Sequence, residues 1–401
     1  MKRNLTYITL TILILITITT IFGFSSNKIN KNNDLEKIVI SGIENFKPTK
    51  ENNKDRYLLF YPSDKRTSQK FTIVKEVSTS GNIIKEYEIH DDEFRRMTLH
   101  QKPNELGNLY ISLFGEAVIE NWYYKYDLRE RLFKKVSLDY FKFDVGVDHI
   151  KHYGKDVLFQ NLVSHKTGDQ NFDPNTGNFN MSISDYDTKK SFETEYGYAP
   201  NWTPLLQLNN RIIYSGSGQV NEEGIPENAF VGLINTENNE VEYTKFDNKS
   251  IEYYPVYSNS NYAYIIGDEG KLFVLDKEFK YKTYDVFKGL PKQDYYYINN
   301  GTLLLNEDTA LHFLFDDEKG TSLGLLKFGD NPTFSLLDMD YIKPEMSYRI
   351  LYQDIVNNEI FLIESNEESN GHLLILDNKN FNLKKKIPIN QNHLLDFVIK
   401  L

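Results

Sequence analysis

The chain has 401 residues, with 28 Tyr, 26 Phe, no Cys and a formal net charge of −11. The missing Cys excludes disulfides, thiolate metal sites and Cys nucleophiles. The acidic balance argues against a sequence-independent nucleic-acid binder, which must neutralise phosphates. Length leaves the domain count open, because repeat architectures of this size form single units.

At the N-terminus, Lys2-Arg3 precede LTYITLTILILITITTIFGF, a mostly apolar run. Its length and basic flank predict a signal anchor over residues 1–24 that spans a membrane and leaves the remainder outside. A cleaved signal peptide is the alternative, with Gly23-Phe24-Ser25 as the cleavage candidate, and it would make the protein secreted. Residues 25–53 are rich in Asn, Lys and Ser and read as a polar tether with one short apolar run, Ile38 to Ile40.

From residue 54 to 401 the chain repeats itself. Short runs such as Arg56 to Pro62, Asn108 to Phe114, Asp156 to Leu162, Arg211 to Ser215, Tyr262 to Asp268, Ala310 to Asp316 and Glu359 to Ser365 have strand character. An apolar residue followed by Asp or Asn punctuates the units at Tyr126-Asp127, Tyr186-Asp187, Ile234-Asn235, Leu275-Asp276 and Leu376-Asp377, with looser versions at Val77-Ser78 and Phe328-Gly329. Asp and Asn suit tight turns because their side chains accept hydrogen bonds from the backbone two residues on. The pattern predicts seven units of four strands. The first unit lacks a first strand, because Phe46-Lys47-Pro48-Thr49-Lys50 is unsuited to one. The surplus run Leu394 to Ile399 is expected to complete it, closing a ring without open edges.

This strand pattern resembles the β-propeller proteins, specifically seven-bladed rings of the quinoprotein or YVTN-like type, over about Arg56 to Leu401. The resemblance implies an all-β ring of four-stranded blades, and a pair of sandwiches is the competing arrangement. Trp-Asp dipeptides, kelch Gly-Gly pairs and the sialidase-type Asp box are absent, so no subfamily's activity carries over.

The resemblance also implies a binding face formed by the links from fourth to first and from second to third strands. Tyr140, Tyr198, Trp202, Tyr253, Tyr295, Asp91, Asp294 and Asp340 would then surround a channel mouth as an aromatic and acidic rim. Such a rim suits sugars, peptides or cationic groups; the plainer expectation is that some rings pack between blades. Two long links, Ser164 to Asn180 and Ser217 to Asn228, would stand side by side. The first carries Asp169, Asn171, Asp173 and Asn175 at alternate positions, a calcium-like spacing, but Pro174 and Asn180 occupy positions where a calcium loop needs Gly and Glu. No other cofactor is expected. His149 and His152 are three apart and, on a strand, would point to opposite faces. His90 beside Asp91 has no identifiable nucleophile for company.

The expected function is a monomeric, membrane-tethered, extracytoplasmic module that binds a protein, peptide or carbohydrate ligand at its loop-rich face without catalysis. The alternative is a hydrolase or lyase acting on a polysaccharide with paired acids at the mouth, such as Asp91, Asp294 or Asp340.

Overall fold

The computed structural model describes residues 37–401 except 49–54, 64–68, 92–95, 103–104, 115–121, 138–145, 154–155, 163–171, 174–177, 180–181, 186–189, 194–203, 217–228, 239, 245, 247–251, 268–269, 292–294, 317, 319, 366–370 and 390–393. Strands dominate it, and the helical element among the described residues is a short 3-10 turn, Ile43–Asn45.

Six blades have four antiparallel strands in chain order. Blade 1 comprises Arg96–Gln101, Asn108–Phe114, Trp122–Asp127 and Leu132–Ser137; blade 2, Gly146–Tyr153, Asp156–Leu162, Ser182–Asp185 and Lys190–Glu193; blade 3, Leu206–Leu208, Arg211–Gly216, Phe230–Asn235 and Val241–Thr244. Blade 4 comprises Tyr253–Ser258, Tyr262–Gly267, Lys271–Asp276 and Tyr281–Asp285; blade 5, Tyr295–Leu304, Thr309–Asp316, Gly320–Lys327 and Thr333–Leu337; blade 6, Ser347–Asp354, Glu359–Ser365, His372–Asp377 and Leu383–Pro388. A small ribbon, Phe172–Asp173 with Asn178–Phe179, accompanies blade 2. The first strands of the six blades neighbour one another in a closed circuit. The result is an all-β propeller.

The terminal sheet departs from the expected pattern. It has five strands, in the order Lys37–Ser41, Ile83–His90, Thr72–Ser78, Arg56–Tyr61, Phe397–Lys400. The C-terminal strand runs antiparallel to Arg56–Tyr61, with Phe60 opposite Phe397. Lys37–Ser41 runs parallel to the outer strand, with Lys37 opposite Glu86 and Ser41 opposite His90. The expectation of seven four-stranded blades is therefore corrected to six blades of four strands, with the chain ends sharing a five-stranded sheet. Among the described residues no helix is long and apolar enough to cross a membrane, and residues 1–36 lie outside them. The reason for the fifth strand is local: Ile38 and Ile40 lie on one side of a period-two strand and are half-buried, while Lys37, Val39 and Ser41 face outward.

The third-to-fourth turns show why Asp and Asn recur. Asp127 Oδ1 accepts from the amides of Arg129 and Glu130, Asp276 Oδ1 from Glu278 and Lys280, and Asp377 Oδ1 from Lys379 and Asn380. Asn235 Oδ1 accepts from Glu237, and Ser78 Oγ from Asn82. Arg131, Phe279 and Phe381 close such turns with left-handed φ values of 58°, 60° and 60°. The residue before each Asp or Asn is buried. Each turn thus pins a core side chain beside a solvent-facing corner.

Between sheets the core is aromatic. Phe397 is fully buried, with ring centroids at 5.2 Å from Phe60 and Tyr126, 5.8 Å from Tyr352 and 5.9 Å from Phe133. One side chain thereby joins the terminal sheet to blades 1 and 6. Burying an aromatic ring of this size stabilises by about 1.5–3 kcal/mol. Tyr352 adds a 2.6 Å hydrogen bond from its hydroxyl to Val398 O. At the opposite end of this seam the buried Glu359 carboxylate meets Lys400 Nζ at 2.7 Å and Lys384 Nζ at 3.2 Å.

Alternating strand direction puts the first-to-second and third-to-fourth turns at one end of the molecule, the turn face. The second-to-third and fourth-to-first links lie at the other, the link face.

Candidate functional site

The link face of blade 6 concentrates titratable groups. Tyr348, Glu364 and His372 stand opposite one another on three consecutive strands, so they form a row across the sheet. Glu364 is 1% exposed, and its two oxygens are divided among three partners. Oε2 accepts from the Tyr348 hydroxyl at 3.2 Å. Oε1 lies 2.5 Å from Lys386 Nζ and 3.0 Å from His372 Nδ1. The His372 contact is close but poorly aligned for a hydrogen bond, so it is chiefly electrostatic.

Burial, reinforced by the Lys386 ammonium and opposed by Glu364, holds the His372 imidazole below its ordinary value. Burial, with the Glu364 charge beside it, pushes the Tyr348 phenol well above its ordinary value, so it stays a donor. The side chains of His372 and Lys386 are about one-third exposed while the carboxylate that orients them is buried.

The link from blade 5 to blade 6 braces this row. Lys343 N donates to the Tyr348 hydroxyl at 2.8 Å, Thr321 Oγ1 donates to Met346 O, and Thr321 N donates to Pro344 O. Gly320 makes the approach possible: its φ is +74°, and a Cβ there would stand 2.1 Å from Pro344 O.

On the opposite side of blade 6, Arg349 reaches the terminal sheet. Its NH1 and NH2 each lie 3.2 Å from Asp396 Oδ1, and NH2 also donates to Leu395 O. Asp396 is fully buried and receives Met97 N of blade 1 on its other oxygen at 3.0 Å. The guanidinium remains 38% exposed. Blade 6 thus presents an imidazole, an ammonium and a guanidinium, each held by a buried carboxylate.

The residues expected at the mouth fare differently. Asp340 is exposed on the link to blade 6, beside Tyr341, whose hydroxyl donates to Phe381 O at 2.6 Å. Asp91 Oδ2 accepts from Ile43 N at 3.0 Å, so it fastens the segment after Lys37–Ser41. Tyr253 is corrected from rim to interior: it is 2% exposed and meets Phe246 and Phe273 edge-on, because its position at the start of a first strand turns it between blades 3 and 4. Tyr295 begins the first strand of blade 5 and Asp173 lies in the small ribbon. Tyr140, Tyr198, Trp202, Asp294, Asp169, Asn171 and Asn175 lie outside the described residues. His90 stacks on Phe71 at 5.1 Å. Among the described residues no group of three or more His, Asp or Glu is placed to hold a metal ion.

Glu364, His372, Lys386, Arg349 and Asp396 were not singled out from the sequence. The available signal was a carboxylate set among apolar strand residues, in EIFLIES and LLDFVI.

No family model and no curated protein matches this chain. Distant likenesses to solved structures are found. A post-proline cleaving enzyme from Rickettsia typhi is 12% identical, with 84% of this chain and 52% of that one covered and a TM-score of 0.47. This chain therefore spans about half of that enzyme's length. The β-propeller domain of the Trilobed protease from Pyrococcus furiosus is 12% identical, with coverages of 84% and 100% and a TM-score of 0.43. BamB from Moraxella catarrhalis is 12% identical, with coverages of 75% and 80% and a TM-score of 0.36. At these values the likenesses carry no functional argument, and the propeller assignment stands on the chain's own sheet topology.

Proposed function

We propose that this protein is a non-catalytic binding module, held at the outer side of a membrane by its N-terminal apolar segment, that takes a protein, peptide or other polar ligand at the link face of blade 6. The observation that carries this reading is the state of the two buried carboxylates. Glu364 and Asp396 are engaged by Lys386, His372, Tyr348, Arg349 and Met97 N, so they position donors rather than offer a free acid and base. The half-exposed donors they hold suit a ligand with an acidic group, and a preorganised donor costs less to engage.

A photo-crosslinking residue substituted for His372 in the full chain, displayed in its native membrane, should capture a defined species, whereas one substituted for Glu278 on the turn face should not. Equal capture at both positions, or none at His372, would remove the basis for this site.

A further inference from the structure

We propose that the turn face at the boundary of blades 4 and 5 is a second recognition surface, which takes the guanidinium of an arginine presented by a protein partner. The inference is independent of the reading of blade 6.

Tyr257 stands at the turn-face end of the first strand of blade 4. Its ring stacks on Tyr264 of the next strand at 6.1 Å and leans on Phe328 of blade 5 at 4.9 Å. Phe328 lies 4.8 Å from Tyr264, and Tyr262 completes the group at 6.4 Å from Tyr264. Tyr257 and Tyr264 are buried, whereas Phe328 and Tyr262 are half-buried, so the cluster reaches the surface through the latter two. Short turns hold it in place: Phe328 N donates to Asp308 O at 2.9 Å, Gly329 N to the Tyr264 hydroxyl at 3.1 Å, and the Tyr284 hydroxyl to Asp330 O at 2.9 Å.

The charges around these rings are acidic. The first-to-second turn of blade 5 carries Glu307 and Asp308, its third-to-fourth turn carries Asp330, and all three are exposed. None of their carboxylates has a hydrogen bond or an ion pair among the described residues. Lys327 is the exposed cation at the end of the same blade, and the first-to-second turn of blade 4, Asn259 to Asn261, is uncharged. Lys277, Glu278 and Lys280 belong to the outer turn of blade 4, where Lys280 pairs with Glu278, and that turn takes no part in the cluster. Tyr257 supplies a second, independent observation. It is only 6% exposed, yet its hydroxyl has no hydrogen-bond partner among the described residues. Burial, with the charges of Glu307 and Asp308 beside it, pushes this phenol up to about 12, so it keeps its proton and its oxygen can accept. A buried phenol ordinarily has a partner; one left open beside two carboxylates without counter-ions fits a cationic N–H donor. A guanidinium matches each part, because its flat face packs on aromatic rings and its N–H fork divides between carboxylate and phenol oxygens. An ammonium matches the charge but neither the ring face nor the fork.

The test titrates the full chain, in nonionic detergent micelles at low ionic strength, into a dye-labelled peptide of alternating Arg and Gly, with binding read by anisotropy. Binding should saturate. Glu307→Gln combined with Asp308→Asn should weaken it about tenfold, and Tyr257→Phe, which keeps the ring, about threefold. Glu237→Gln combined with Glu240→Gln, exposed acids on the turn face of blade 3, should leave it unchanged, and a peptide with Lys in place of Arg should bind more weakly. Thermal unfolding of each variant verifies that the fold is intact. No saturable binding, equal weakening by the two acid pairs, or a Tyr257→Phe variant that binds as the parent does would overturn the site. Equal affinity for the Lys peptide would overturn the assignment of its ligand to a guanidinium.

Discussion

Gln101 and Gln353 exchange hydrogen bonds: Gln101 Nε2 donates to Gln353 O at 2.7 Å, and Gln353 N donates to Gln101 Oε1 at 3.0 Å. The pair joins the first strand of blade 1 to that of blade 6, past the C-terminal strand lodged between them. At the other end of the same gap, Asp396 joins Met97 of blade 1 to Arg349 of blade 6. The ring is clasped twice where the chain ends meet.

Gln101→Leu should destabilise the protein, because it strands the backbone N–H of Gln353, a residue only 6% exposed. An unsatisfied buried donor costs about 1–3 kcal/mol. Urea unfolding of the variant should show a lower midpoint with an unchanged slope.

Asp396→Ala should cost more. It leaves Arg349 without its counter-charge and Met97 N without an acceptor in a site with no solvent access to the carboxylate. Because the guanidinium is partly exposed, the expected loss is about 3 kcal/mol, the lower end for a broken buried pair. Arg349→Met, which removes the more exposed partner, should also destabilise by leaving the buried Asp396 carboxylate without the Arg349 counter-charge, and the double variant should cost less than the sum of the two.

Acid should weaken the fold through His312. Burial holds its imidazole down at about 3, against an ordinary 6.5, with Thr302 Oγ1 at 2.7 Å from Nδ1. The unfolded chain then takes up this proton at a higher pH than the folded one. The contribution to stability is complete above about pH 6.5 and is lost as pH falls toward 3, by up to about 1.4 kcal/mol per pH unit. Between pH 7 and 5 the loss from this group is about 2 kcal/mol. His312→Gln should flatten the stability profile over that interval, above the range where carboxylates titrate. A profile parallel to the parent's would disprove the assignment.

Gly232→Ala should destabilise blade 3 although Ala favours strands more than Gly does. A Cβ there would stand 2.2 Å from the ring of Tyr214, which is fully buried. Moving that ring costs about 1–3 kcal/mol. Gly232→Ala combined with Tyr214→Leu should recover part of the loss in thermal unfolding.

What the sequence made legible was periodic. Second strands such as Tyr262–Gly267 and Glu359–Ser365 carry continuous apolar runs, and the Asp and Asn corners announce themselves because one side chain satisfies local amides. The five-stranded sheet was obscured because Ile38 and Ile40 contribute only two apolar positions amid Asn and Lys, too few to read as a strand until a partner edge is known. Tyr253 read as a link residue because a ring at the start of a strand looks the same whether it turns inward or out. Glu364 and His372 come together only through the register of two strands, and Asp396 and Met97 only through ring closure across a separation of 299 residues. Pairings of that kind leave no local pattern.

The meeting of both chain ends in one sheet also fixes an order of events during synthesis. Blades 1 to 6 are each built from consecutive strands, so each can form as it emerges. The terminal sheet cannot: Arg56–Tyr61 emerges early, yet its partner Phe397–Lys400 is made only after the strands of all six blades. Until then one edge of an apolar strand, and the cleft that Phe397 fills, must wait uncovered. Closure is a late, non-local step, and the interval before it is when this chain most needs protection from pairing with a neighbour.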